Sequence, residues 1–162
     1  MFRFISICLF LQLPALAGSV LWLEPLVDKA AVHVAPPAIQ KAMAAVLKAD
    51  LTDCETQKHL TKQQVSKYFC SIPIDLGINP NKAFLVFPSK YCYAFFGAHS
   101  IAFWVVTTSD DILFKVRFSG RHDGLEILES KHNGLFDLRV HTLQGSALLY
   151  FDGSMYIPSE KQ

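Results

Sequence analysis

After Pro73 the chain alternates between aromatic or β-branched runs and turn-forming residues, and this alternation restricts its second half to β structure. Short apolar runs bounded by Asn-Gly, Asp-Gly or Pro-Ser dipeptides are typical of antiparallel strands. The sequence contains no internal repeat long enough to form a solenoid. The pattern predicts strands at Phe84–Phe87, Tyr91–Phe96, Ile101–Thr107, Ile112–Phe118, Leu125–Ser130, Phe136–His141, Ala147–Phe151 and Met155–Ile157.

The dipeptide Asn133-Gly134 predicts a tight hairpin with a defined register. A type I′ turn needs two consecutive residues with positive φ, and Asn-Gly adopts that conformation readily. Counting outward from the turn places Glu126 opposite His141 as a cross-strand pair. Glu129 and Lys131 then fall on the apolar side near the tip, where we expect the hairpin to leave the core or to bulge.

Two helices are expected before the strands. Apolar residues at helical spacing predict the first helix over Ala38–Ala49. Thr61 and Gln64 have the spacing of a capping box, which predicts the start of a second helix that ends before Pro73.

Together these elements predict an α+β fold, with the N-terminal helices packed on one face of an antiparallel β-meander. We expect the helical part at about 36–72 and the β part at about 83–157 of one domain covering 18–162, because the chain is too short for two independent cores.

The segment Met1–Ala17 has the features of a cleavable export signal. Arg3 precedes the apolar run Phe4–Leu13, and Ala15-Leu16-Ala17 supplies the small residues that a signal peptidase requires. The run is shorter than the ~20 residues needed to span a bilayer. We therefore expect cleavage after Ala17, export to the periplasm, and no membrane span in the mature chain; Trp22 and other apolar residues that follow would attach this segment to the body.

The cysteines left after cleavage predict a disulfide, because an exported protein is exposed to oxidising conditions. Cys54 and Cys70 flank one helical stretch, and a bridge between them would contribute ~3 kcal/mol. Cys92 would then be a buried thiol. The alternative is a reactive Cys92 that acts with His99 in an envelope hydrolase.

The charge balance excludes an electrostatically driven nucleic-acid binder. The formal net charge is +1, and it falls to zero when Arg3 leaves with the signal. Phosphate backbones bind proteins mainly through excess positive charge. The sequence also lacks a glycine-rich phosphate loop and CxxC metal spacing, so we expect neither a cofactor nor a metal.

Two motifs near the C-terminus resemble those of small uncharacterised exported bacterial proteins. They are Asn-Gly-Leu-Phe-Asp-Leu at Asn133–Leu138 and Tyr-Phe-Asp-Gly-Ser-Met-Tyr at Tyr150–Tyr156. The relatives often carry an acidic turn that could hold calcium, but Asp75–Asn81 lacks two of the expected carboxylates, so no metal is expected here. The profile of signal, β-rich body and disulfide is similar to that of periplasmic immunity proteins and lysozyme inhibitors.

The candidate binding residues are Arg121, His122 and Asp123, which two glycines bracket on an expected loop between strands. Such a loop could project into the cleft of a partner, because binding residues concentrate on loops held by rigid sheets. No Gly-x-Ser-x-Gly elbow or separated catalytic triad is present, so no catalytic residue is predicted.

These features predict a non-enzymatic periplasmic binding or inhibitor protein, such as an immunity protein that neutralises a cell-wall-degrading toxin or lysozyme. Its partner would be another envelope protein or an incoming toxin. The alternatives are the Cys/His hydrolase and a structural envelope component. A homodimer through an edge strand at Met155–Ile157 also remains open.

Overall fold

A computed structural model describes most of the chain beyond the expected signal, which lies outside the described residues. The described residues are 18–28, 34–57, 60–65, 67–78, 82–98, 100–108 and 113–159. Within these ranges no helix is long and apolar enough to cross a bilayer.

The described residues form two antiparallel sheets and several short helices. The helices are α1 (Leu23–Asp28), α2 (Pro37–Val46), α3 (Lys48–Thr56) and α4 (Lys62–Val65). The strands are β1 (Val20–Trp22), β2 (Phe69–Pro73), β3 (Ala83–Pro88), β4 (Ile101–Thr108), β5 (Phe114–His122), β6 (Gly124–His132), β7 (Leu135–Thr142), β8 (Gly145–Phe151) and β9 (Tyr156–Pro158). One sheet has the order β2-β3-β4-β5 and the other β1-β6-β7-β8-β9.

The four-stranded sheet is the middle layer of three. Its consecutive residues belong to different hydrophobic clusters: Leu85 and Val105 pack against the five-stranded sheet, whereas Val86 and Val106 pack against the helical side. A sheet covered on both faces has continuous apolar strands, which explains why almost all of β4 is buried.

The predicted fold class was therefore wrong. Helices do pack on a sheet, but the β part is two stacked sheets rather than one meander, and most of the ordered structure is strand. Alternation along each strand cannot distinguish one sheet covered by helices from two sheets that cover each other, because both require an apolar face.

The helical segment was also predicted only in part. The first helix breaks at Leu47 and continues as α3, and the second consists of a single turn. Its capping box is present: the Thr61 backbone N–H donates to Gln64 Oε1 at 2.9 Å, and the Gln64 N–H donates to Thr61 Oγ1 at 3.3 Å. Phe69 beyond it begins β2, which pairs with β3, and its side chain is completely buried in the cluster on the helical side.

The β6–β7 hairpin has the predicted turn and, of the two outcomes expected near its tip, the bulge. Asn133 and Gly134 have φ values of 48° and 89°, as a type I′ turn requires. The first two pairs follow the predicted register, which then shifts between Ile127 and Lys131. Beyond the shift, Glu126 lies opposite Arg139 rather than His141.

The predicted disulfide partner of Cys54 was wrong. Cys54 bonds to Cys92 with a Cα–Cα distance of 5.8 Å, and Cys70 is a buried thiol outside this disulfide. Cys70 lies in β2 with its side chain in the core between the sheets, whereas Cys54 and Cys92 both belong to the cluster on the helical side. The segment predicted as a strand at Tyr91–Phe96 is largely a turn that carries the bonded cysteine.

Candidate functional site

The predicted binding residues lie where the chain passes from one sheet to the other. Strand β5 runs through Arg121 and His122, and Asp123 alone separates it from β6. The backbone of Asp123 is held on both sides: its N–H donates to the His141 carbonyl at 2.8 Å, and its carbonyl accepts from the Leu23 N–H at 2.9 Å. Arg121 donates to the carbonyl of Ala94. The segment is a fixed crossing between the sheets, not a projecting loop.

His122 lines a cavity of about 240 Å³ whose other wall is the β7–β8 hairpin. Its ring stacks on Phe118 and meets the edge of Phe103, with ring centroids 5.9 Å away in each case. Its Nδ1 atom is buried without a hydrogen-bond partner. Burial lowers the pKa of His122 below its usual range, although the neighbouring Asp123 carboxylate opposes this shift. The neutral imidazole is therefore favoured in the folded protein.

Several side-chain hydrogen bonds and ion pairs lie together on the side of the five-stranded sheet that faces away from the core. We call it the outer face. Its side chains alternate along the strands with those of the core, and most of them remain accessible to solvent, whereas Asp137 is buried by its polar partners. The residues that define the outer face are Val20, Trp22, Glu126, Ser130, His132, Asp137, Arg139, His141, Leu148 and Tyr150.

The indole of Trp22 lies on the outer face above Gly124. Pairing puts Trp22 beside Gly124 and Gly124 beside His141. A Cβ at Gly124 would lie 2.9 Å from Trp22 Cε3, so the missing side chain leaves room for the indole. The indole reaches the imidazole of His141, with centroids 5.8 Å apart, and 52% of Trp22 stays exposed.

Next to the indole, one carboxylate binds two basic side chains. Arg139 Nη1 donates to Glu126 Oε2 at 2.8 Å, and His141 Nε2 lies 3.3 Å from the same oxygen. The contact between Glu126 and His141 expected from the sequence is thus present, but as a diagonal contact. A charged cross-strand pair of this kind fixes the orientation of the guanidinium on the sheet.

A second polar cluster surrounds the carboxylate of Asp137, whose side chain is 2% exposed. Ser130 Oγ donates to Asp137 Oδ2 at 2.5 Å, and His132 Nδ1 lies 2.7 Å from Oδ1. A carboxylate only accepts, so Nδ1 carries a proton in this contact. The ring of Tyr150 lies 5.4 Å from that of His132.

This cluster is not arranged for nucleophilic catalysis. In a serine triad the imidazole lies between the hydroxyl and the carboxylate and accepts the hydroxyl proton. Here the carboxylate of Asp137 lies between Ser130 and His132, so the hydroxyl proton is directed to Asp137. The arrangement holds the exposed imidazole of His132 in one orientation.

The cysteines do not supply a nucleophile in this state. Cys92 is oxidised to a disulfide with Cys54, and His99, its proposed base, lies outside the described residues. Burial raises the pKa of the Cys70 thiol to about 11, which keeps it protonated at neutral pH. Within the described ranges, no three His, Cys, Asp or Glu side chains approach one another closely enough to hold a metal ion.

Sequence reasoning missed the outer face because its parts come from separate segments. Trp22 was expected to attach the N-terminal segment to the body, yet its ring is half exposed. Gly124 was the available signal, since an isolated glycine inside a strand marks a close approach of another group. Comparisons with protein-family models, with characterised proteins and with solved structures find no match to this chain.

Proposed function

We propose that this protein is an exported, non-enzymatic binding protein of the inhibitor or immunity kind, which docks its outer face on an enzyme that degrades the cell wall. The observation that carries the proposal is the ordered group of Trp22, His141 and Arg139 on a rigid sheet. Trp and Arg are enriched among the few residues that supply most of the energy of an interface. Their fixed orientations reduce the entropy lost on binding.

The charges of the outer face support an acidic binding surface on the partner. The two carboxylates of the outer face are covered by their partners: the Asp137 side chain is 2% exposed and that of Glu126 is 15% exposed. The basic partners are more exposed: the side chains of His132 and Arg139 are 57% and 40% exposed. Glycoside hydrolases carry a pair of carboxyl groups in the substrate cleft. A face that exposes a guanidinium, an imidazole and an indole while its carboxylates are largely buried is complementary to such a cleft.

The disulfide supports the expected location, because such bonds persist in the periplasm and outside the cell but are rare in the cytosol. Both bonded cysteines are completely buried, so the bond belongs to the core of the helical side. Cell-wall-degrading enzymes act in this same compartment. Export would therefore bring the inhibitor and its target together.

The proposal is tested by inhibition of peptidoglycan hydrolysis. The purified protein is titrated into reactions of separately purified lysozymes and bacterial cell-wall hydrolases, and turbidity loss of peptidoglycan is followed. We expect inhibition of at least one enzyme, and we expect Trp22→Ala and Arg139→Ala each to weaken it about tenfold or more. Tyr91→Ala is the matched control, because Tyr91 is 61% exposed and does not belong to the outer face.

A second measurement locates the contact. A photoreactive phenylalanine analogue replaces Leu148, which is 39% exposed on the outer face, or Val46, which is 63% exposed in α2. Cross-linking to the inhibited enzyme should occur from position 148 and not from position 46. The proposal fails if no enzyme of the panel is inhibited, if cross-linking occurs only from α2, or if the Tyr91 variant loses as much inhibition as the Trp22 variant.

A further inference from the structure

A cleft of about 320 Å³ opens between the two sheets at the end opposite His122, and its wall is basic. It lies where the last residues of β4 and the first of β5 approach the β6–β7 turn and the residues that follow β8. Cavities of this size accommodate small organic molecules. The residues used below are Thr107, Lys115, Arg117, Leu135 and Phe151.

A β-bulge directs the two cations to this cleft. Val105 pairs with Phe118 and Val106 with Val116, so Arg117 is the extra residue of β5. The bulge reverses the alternation of the strand: Phe118 packs in the core between the sheets, whereas Val116 packs on the helical side. Side chains at 115 and 117 therefore line the space between the sheets, where an unbroken strand would place apolar residues. Bulges often re-aim side chains beside functional sites.

The guanidinium of Arg117 is fixed without being neutralised. Its Nε donates to Thr107 Oγ1 at 2.8 Å and its Nη1 to the Ser154 carbonyl at 2.9 Å. The group also lies over the ring of Phe151, 5.6 Å from the centroid. All three partners are uncharged, and among the residues that the structure describes no carboxylate forms an ion pair with Arg117. The remaining N–H groups keep a half-buried positive charge available to an anion.

We propose that this cleft binds a small organic oxyanion, with its carboxylate or phosphate group against Arg117 and Lys115 and its apolar body against Phe151 and Leu135. A planar guanidinium matches the two oxygens of either anion, and fixed donors lose little entropy on binding. Both cations lie on the same inter-sheet side of β5, so they can contact one anionic group. This binding does not depend on the outer face, which lies on the other side of the five-stranded sheet.

The probes are benzoate, phenyl phosphate and benzamide, which share an aromatic body and differ in the polar group. Binding to the ¹⁵N-labelled protein is followed by amide chemical shifts. We expect benzoate or phenyl phosphate to shift the amides of Thr107, Arg117 and Gly153, and uncharged benzamide to bind about tenfold more weakly or not at all. Preference for one of the two anions identifies a carboxylate or a phosphate as the recognised group.

The variants separate charge from structure. Arg117→Met should weaken the preferred anion about tenfold, Arg117→Lys less, and Lys115→Met by a smaller factor. Arg121→Met is the control, because that guanidinium binds the Ala94 carbonyl outside the cleft. Lys115 is exposed, so its variant remains informative if the loss of Arg117 disturbs folding. Equal binding of benzamide, unchanged binding in both Arg117→Met and Lys115→Met, or no shift at the cleft would overturn the proposal.

Discussion

Breaking the bond between Cys54 and Cys92 should destabilise the protein by about 4 kcal/mol. The two cysteines are separated by 38 positions in the sequence. In the chain-entropy model, a cross-link over a loop of this length lowers the conformational entropy of the unfolded chain, which corresponds to about 4 kcal/mol of stability. For a domain of this size the corresponding fall in Tm is about 8–16 °C. Single domains have only about 5–15 kcal/mol of stability, so the reduced protein should unfold readily.

The assay is urea and thermal unfolding with and without a phosphine reductant, followed by circular dichroism. Reduction leaves every side chain in place, so the change in the free energy of unfolding reports the cross-link without a cavity term. Three proteins are compared: the wild type, Cys70→Ala, and the double variant Cys54→Ala/Cys92→Ala. The reductant should destabilise the first two equally and leave the double variant unchanged.

The comparison also tests the pairing itself. Cys70→Ala removes a buried sulfur and lowers stability in both conditions, but it keeps the bond and therefore the response to reductant. A Cys70→Ala protein that no longer responds to reductant would show that Cys70 is a bonded partner and that the assignment is wrong. If the wild type does not respond although mass spectrometry shows complete reduction, the entropic argument is refuted.

Three further predictions concern the crossing between the sheets and the outer face. Gly124→Ala should move the Trp22 indole, because the new Cβ would lie 2.9 Å from Cε3; we expect a changed tryptophan emission spectrum and about 1–3 kcal/mol lower stability by urea unfolding. His122→Phe should make the free energy of unfolding depend less on pH below neutrality. Burial lowers the pKa of His122 in the folded protein, so the stabilising effect of the neutral ring is complete above pH ~6.5 and is lost as the pH falls toward the folded-state pKa. Urea midpoints between about pH 8 and about pH 5 measure this, and an equal slope in both proteins would contradict it. Asp137→Asn should lower the free energy of unfolding by about 1–3 kcal/mol in the same assay, because the buried amide has one acceptor oxygen for its serine and histidine partners where the carboxylate has two. An unchanged free energy of unfolding would show that the carboxylate contacts contribute little to stability.

Local interactions were the part of the fold that the sequence predicted well. The Asn133-Gly134 turn depends on the φ preferences of two residues, and the capping box of Thr61 and Gln64 on a contact three residues apart. Neither needs information from the rest of the chain. The bulge near Glu129 was predictable for a related reason, since charged residues in phase with buried ones cannot remain in a regular ladder.

The errors came from contacts between distant segments. Phe69 follows a helical capping signal, yet its pairing with Pro88 in the neighbouring strand makes it part of a sheet. Cys92 was expected in a strand, and its bond to Cys54 depends on how the helical side packs, which spacing along the chain does not reveal. Of the predicted site residues, His122 lines a cavity, but the loop expected to project is held between two sheets.

The layer order explains why the five-stranded sheet is the one able to carry a binding face. In the inner strands β3 and β4 of the four-stranded sheet both faces belong to cores, as neighbouring Val105 and Val106 are 0% and 1% exposed, so a change in these two strands acts on stability. In β7 the buried Leu138 and Val140 alternate with the outward Arg139, which makes no contribution to either hydrophobic cluster. Outward substitutions in this sheet can therefore alter recognition while the core stays intact. That separation makes Arg139→Ala an informative test, because a loss of inhibition without a loss of stability can come only from the surface that the residue presents.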